Sequence, residues 1–117
     1  MSIRTVVAIL FSAVLAVPSL GLADTVSLSI VIHNNEFVPA QLKLPAGVKA
    51  KLALTNDGPL PAEFESFDLS REIIMPIKHT VVVFIGPLKA GRYEFFNDFN
   101  HDMRGAITVT PAGEGED

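Results

Sequence analysis

Two short stretches of the chain contain residue types that bind metal ions. The first, AEFES, holds Glu63 and Glu65, which one residue separates. The second, NDFNHDM, offers His101 and Met103. Carboxylates and an imidazole suit hard or borderline cations such as iron or Cu(II), whereas a thioether adds a preference for Cu(I). If the two stretches meet, this mixture of donors predicts copper or iron rather than calcium.

Each candidate ligand also has a purely structural interpretation. Residues two apart on a strand share one face, so Glu63 and Glu65 either line one site or form a solvated surface. A Met that follows a loop commonly packs in the core, and Met103 is left open between core and ligand. His101 lies in a polar loop without apolar periodicity, which favours a ligand.

Further polar residues are secondary candidates. Asp98 and Asp102 flank His101 as reserve ligands, and Glu72 is interpreted as an outer partner of the glutamates. His33 reads as a surface residue, with a second, weaker site beside Glu36 as the alternative. His79 follows Lys78 and is predicted to be exposed, whereas Met75 is predicted to lie in the core.

Several classes of chemistry are excluded or disfavoured by residue content. The chain has no cysteine, and a blue-copper centre requires a thiolate ligand, so an ordinary blue-copper electron carrier is excluded. There is no Ser/His/Asp constellation in a strained turn, no Gly-rich phosphate loop and no HExxH helix, so hydrolytic catalysis is not expected.

The N-terminus has the pattern of a secretory signal peptide. Arg4 precedes an apolar run over residues 6–17, and small residues end the segment at Ala23. We expect residues 1–23 to be removed and the protein to be periplasmic. The remaining residues, 24–117, carry 8 basic and 13 acidic side chains. This charge of −5 argues against nucleic acid as a partner, and no direct membrane insertion of the mature chain is expected.

The mature sequence reads as short strands separated by turns. Val26 to Ile32 and Val48 to Leu54 alternate apolar and polar residues, which is typical of half-buried strands. Thr80 to Ile85 is almost continuously apolar and predicts a strand buried on both faces. We expect an all-β sandwich over residues 24–110 and a disordered acidic tail over 111–117. The predicted core aromatics are Phe37, Phe64, Phe84, Tyr93 and Phe95.

Two longer runs resemble a known family. NNEFVPAQLKLPAGVKAKLALTNDGP resembles the first half of a cupredoxin, and LKAGRYEFFNDFNHDMRGAITV resembles its last hairpin. With PAEFESFDLSRE, the chain is similar to cupredoxin-like periplasmic proteins of ferrous-iron uptake systems. The resemblance implies a Greek-key β-sandwich in which strand 62–66 lies beside the loop after Phe96. Glu63, Glu65, His101 and Met103 would then converge on a copper or iron ion.

The same comparison shows two departures. An electron-transfer cupredoxin places a Cys where Asn97 stands and a His near Ala62 or Glu63, and both are missing here. The resemblance therefore implies a metal-binding accessory protein of iron uptake, with a membrane iron permease and a periplasmic iron-binding protein as partners. Two alternatives stay open: an oxidoreductase with ferroxidase activity at the same residues, and a metal-free interaction module whose acidic face meets a partner.

Overall fold

The computed structural model describes residues 25–112, which form nine β-strands. The predicted signal peptide, residues 1–23, and residues 113–117 of the predicted tail lie outside the described residues. None of the described residues belongs to a helix that is long and apolar enough to cross a membrane. The strands are β1 (Thr25–His33), β2 (Glu36–Val38), β3 (Gln41–Pro45), β4 (Lys49–Asn56), β5 (Ala62–Ser66), β6 (Arg71–Met75), β7 (Thr80–Ile85), β8 (Gly91–Asn97) and β9 (Asn100–Thr110).

The strands form two sheets packed as a sandwich. One sheet has the order β2-β1-β4-β7 and the other β3-β9-β8-β5-β6. β1 pairs with β4, and β3 with β9, in parallel, whereas the other neighbours are antiparallel. The all-β sandwich expected from the alternating sequence is confirmed.

The core lies between the sheets, where the inward positions of each strand meet. Ile30, Leu52 and Leu54 are fully buried, as the period of two in β1 and β4 predicts. Phe64 and Phe95 stack at 4.9 Å between ring centroids, and Phe37 meets Phe95 edge-on at 5.2 Å. This aromatic cluster joins the two sheets, since Phe37 belongs to the first and the other two rings to the second.

β7 does not match its prediction. It is an edge strand that pairs only with β4, and Val82 and Phe84 are 46% and 51% exposed. The expectation of burial on both faces, and of Phe84 in the core, was therefore wrong. A continuous apolar run reports β-propensity, but the order of strands decides which strand has a neighbour on each side. One edge carbonyl, that of Phe84, accepts a hydrogen bond from Arg71 Nη2 at 3.0 Å.

Two hairpins of the second sheet position the candidate ligands. In β5 the buried residues Ala62, Phe64 and Ser66 alternate with half-buried Glu63 and Glu65, so both carboxylates leave the outer face. β6 returns alongside β5 in antiparallel register. β8 and β9 form the second hairpin, whose tip carries the NDFNHDM segment.

Candidate metal site

Three carboxylates meet on the outer face of the second sheet. Glu65 in β5 lies directly opposite Glu72 in β6, and Glu63 lies two residues away on the same face. One carboxylate oxygen from each of Glu63, Glu65 and Glu72 lies within 4.8 Å of the others. These three residues are called the carboxylate cluster below.

The spacing of the carboxylate cluster is compatible with a shared cation. Metal–oxygen bonds of roughly 2.0–2.6 Å allow two ligand oxygens of one ion to be about 4–5 Å apart at most. The three carboxylate oxygens all lie within 4.8 Å of one another, which is inside that limit.

The cluster is under electrostatic strain. Partial burial raises the pKa of Glu63 most. The pKa is raised further by the charge of Glu72, by a hydrogen bond with Asp98, and by the charges of Asp98 and Glu65. Partial burial likewise raises the pKa of Glu65, followed by the charges of Glu72 and Asp98. Each charged carboxylate disfavours the ionisation of its neighbours, so a cation placed among them would relieve this repulsion.

Within residues 25–112, no side-chain cation forms an ion pair with the carboxylate cluster. Among the described residues, the ion pairs involve Asp57, Glu94 and Asp98, and none involves Glu63, Glu65 or Glu72. Arg71, the neighbour of Glu72, instead donates to the backbone carbonyls of Leu69, Ser70 and Phe84.

The tip of the second hairpin adds an acid and an imidazole. His101 Nε2 lies 3.0 Å from Asp98 Oδ1, and the imidazole packs edge-on against Phe96 at 5.1 Å. Phe96 pairs with Glu65 across the sheet, so the ring of Phe96 separates the imidazole from the cluster in the plane of the face. The positive charge of protonated His101 also acts on Glu65, lowering its pKa against the stronger raising effects. Asp98 and His101 therefore border the carboxylate cluster.

Met103 does not join these residues. Its side chain is 5% exposed, belongs to the core, and has its Sδ 3.3 Å from the Asn97 Nδ2 donor. Of the four residues proposed from the sequence, the structure thus brings Glu63 and Glu65 together, places His101 at their border and directs Met103 to the opposite, inner face of the sheet.

The interior beside Met103 does not fit a blue-copper centre. Asn97 stands where the resemblance expects the thiolate, and its amide is engaged on both atoms: Oδ1 accepts from the backbone N–H of Glu63 and of Phe99, each at 3.0 Å, and Nδ2 donates to Met103. The buried polar side chains in this part of the chain are amides and a hydroxyl, none of which supplies an imidazole or thiolate. The donor set inside the sandwich is therefore unsuited to copper of the blue type.

The secondary candidates lie apart from the cluster. His33 and Glu36 face each other in the β1–β2 hairpin of the first sheet, where His33 Nδ1 is 3.9 Å from Asp57 Oδ2. His79 is exposed, with Nδ1 2.8 Å from the Ile77 carbonyl oxygen. Asp102 lines a separate shallow depression together with Glu36.

Glu72 is the member that the sequence argument undervalued. Its interpretation as an outer partner followed from proximity in sequence, whereas the β5–β6 register places it directly across from Glu65. The sequence FESFDLSRE contains the signal for this pairing. A turn over residues 67–70 between two strands places Glu65 and Glu72 opposite each other as cross-strand partners.

Comparisons with known proteins agree with the fold. A family model described as the cupredoxin-like domain matches residues 5–109. The uncharacterized protein RP394 of Rickettsia prowazekii (strain Madrid E) is 36% identical over 87 residues, which cover 74% of this chain and 70% of that protein.

Two solved structures share the architecture at low identity. The metal-binding domain of the Cu(I)-exporting P-type ATPase CopA of Streptococcus pneumoniae D39 is 18% identical with a TM-score of 0.61, covering 77% of this chain and 99% of that one. A purple cupredoxin from Nitrosopumilus maritimus is 19% identical with a TM-score of 0.55, covering 71% and 99%. At these identities the likeness concerns the fold alone.

Proposed function

Because the chain belongs to the cupredoxin-like domain family, we propose that it is a metal-binding protein that holds copper or iron on its outer face instead of in an internal blue-copper centre. One observation carries the proposal: three carboxylate oxygens lie within 4.8 Å of one another without a neutralising side-chain cation among the described residues. Asp98, whose charge acts on both Glu63 and Glu65, is a further candidate donor at the border of the site, and His101 supports it through the 3.0 Å contact of its Nε2 with Asp98 Oδ1.

The donor set favours a hard or borderline cation. Oxygen ligands with a neighbouring imidazole suit iron and Cu(II), whereas the thioether that would favour Cu(I) points into the core. The copper-binding proteins among the structural relatives make copper a reasonable ligand for this fold. Iron is proposed on the donor chemistry and on the sequence resemblance to proteins of ferrous-iron uptake.

The cellular role that we propose rests on the same resemblance. We place the mature protein in the periplasm, as an accessory of iron uptake that works with a membrane iron permease and a periplasmic iron-binding protein. Mass spectrometry of periplasmic material tests the location: the secreted form should begin at Asp24, and an intact Met1 would speak for a retained anchor.

Calorimetric titration of residues 24–117 with Cu(II), and anaerobically with Fe(II), tests the binding site. Glu63→Gln plus Glu65→Gln keeps side-chain shape and removes two charges, so affinity should fall by at least about tenfold. Glu36→Gln is the control, because Glu36 is also a strand carboxylate but is exposed and lies on the first sheet. An affinity that falls only in the control would move the site to His33 and Glu36.

Repeating the Fe(II) addition in air separates the alternatives. Oxygen uptake and Fe(III) formation during aerobic addition of Fe(II) would mark the chain as an oxidoreductase with ferroxidase activity. If neither ion produces a binding heat, the remaining alternative is the metal-free interaction module, in which the acidic face contacts a partner protein directly.

A further inference from the structure

Asn97 is a buried asparagine whose side chain joins three segments of the second sheet. It is 4% exposed. Its Oδ1 accepts from Glu63 N in β5 and from Phe99 N in the hairpin tip, each at 3.0 Å. Its Nδ2 donates to Met103 Sδ in β9 at 3.3 Å. The amide therefore makes three contacts and leaves no buried polar atom unsatisfied.

These contacts fix the backbone from which the outward acids project. The Glu63 N–H is held by Asn97, and the Glu63 carbonyl accepts from Asp98 N at 2.9 Å. The backbone N–H and C=O of Glu63 are thus hydrogen-bonded to two consecutive residues, Asn97 and Asp98. Asp98 in turn contacts His101 at 3.0 Å. The contacts of Asn97 and Asp98 therefore hold Glu63, Asp98 and His101 in place relative to one another.

β5 is paired with β6 and β8, but at the hairpin tip the β8–β9 ladder does not provide this support. The regular β8–β9 register ends at Phe96 opposite Arg104, and the next pair is Asn97 with Asn100. Residues 101–103 therefore lie opposite a single step of β8, where ladder hydrogen bonds are interrupted. The side chain of Asn97 spans this gap from the inner face.

We propose that Asn97 is a positioning residue that holds the Glu63 strand and the Asp98–His101 tip in their binding arrangement before any metal arrives. The residue stands where an electron-transfer cupredoxin has its thiolate ligand. Instead of binding a metal there, its side chain makes hydrogen bonds inside the sandwich. Metal binding on the outer face is then not coupled to folding of the hairpin tip, in contrast to sites that form only with their ion. This inference rests on the proposed function.

A comparison of two buried asparagines tests the positioning role. Asn56 is also buried and makes three hydrogen bonds, donating to the Leu60 and Met75 carbonyls and accepting from Gly58 N. None of these side-chain hydrogen bonds goes to Glu63 or to the hairpin tip. Asn97→Ala and Asn56→Ala should therefore both lower the unfolding midpoint, whereas only Asn97→Ala should weaken Cu(II) and Fe(II) binding, by roughly tenfold.

Amide hydrogen exchange supplies a readout on the unsubstituted protein. The N–H groups of Glu63 and Phe99 should already be protected without metal, and Cu(II) should leave their protection unchanged. In folded Asn97→Ala both should exchange faster, with no such change in Asn56→Ala.

Equal loss of affinity in the two variants, or protection that appears only with metal, would overturn the inference. If the unsubstituted protein binds neither ion, the proposed function itself falls; normal binding by Asn97→Ala overturns only the role of Asn97.

Discussion

Replacing Met103 with Leu distinguishes an outer-face site from an internal one. Met103 is buried against the core, so a side chain of similar volume should be accommodated at a cost below about 1.5 kcal/mol. The substitution also removes the acceptor of the Asn97 Nδ2 bond. Because sulfur is a weak acceptor, the unpaired donor should add a cost near the lower end of the usual range, about 1 kcal/mol. The free energy of unfolding should therefore fall by about 1–2.5 kcal/mol.

Metal affinity should not follow this loss of stability. The thioether lies on the inner face, away from the carboxylate cluster, so Met103→Leu should bind Cu(II) and Fe(II) as the unsubstituted protein does. Urea unfolding gives the stability change, and calorimetry well below the unfolding midpoint gives the affinities. Met103→Ala would be less informative, because its cavity should cost about 2–5 kcal/mol. A folded Met103→Leu protein that lost tenfold or more in copper affinity while the Glu63 and Phe99 N–H groups stayed protected from exchange would refute the outer-face site and restore Met103 as a ligand. The exchange measurement is needed because Met103 also accepts the Asn97 Nδ2 hydrogen bond.

Three further predictions concern protons, imidazoles and colour. Since the pKa values of Glu63 and Glu65 are raised in the fold, the native state binds protons more readily than the unfolded state, and this contribution to apo stability is lost as pH rises above about 4.5. Urea unfolding between pH 4 and 7 should show that Glu63→Gln plus Glu65→Gln gains stability relative to the unsubstituted protein as pH rises; a strong loss at pH 7 would make these residues structural acceptors instead. If His101 binds the ion, a proton on its imidazole competes with the metal, so affinity should step down as the solution is acidified, and calorimetry across pH should show this step vanishing in His101→Ala but not in His33→Ala or His79→Ala. Loss of the step in His33→Ala alone would assign the metal to the first sheet. Cu(II) should give only a weak carboxylate-and-nitrogen absorption spectrum, and an intense band of the blue-copper kind would contradict the account.

The sandwich was predictable because its central strands have strong local patterns. In β1 and β4 the alternation of apolar and polar residues covers most of each strand, so both the strand and its inward face follow from sequence. β2 has three residues, too few for a period to be read. The exposed face of β7 was missed for a different reason, since the order of strands is a property of the whole chain.

The carboxylate cluster was predictable in part. Alternation in AEFES placed Glu63 and Glu65 on one face and Phe64 in the core, as the structure has them. The position of Glu72 depends on the length of the turn between β5 and β6, because a change of one residue would send its side chain to the other face. Whether these residues bind a metal remains a prediction.

The separation of His101 from Met103 shows where local reasoning fails and why the donor chemistry changes. Two residues apart on a regular strand, they would share a face. Between Phe96 and Asn97, however, the β8–β9 register shifts from Arg104 to Asn100, so that three residues of β9 lie opposite one step of β8. An irregularity of this kind interrupts the alternation of faces, so Met103 stays in the core while His101 packs on the outer side of Phe96. The soft thioether is thereby removed from the carboxylates, and the ligands left on the outer face are those that hard and borderline cations prefer.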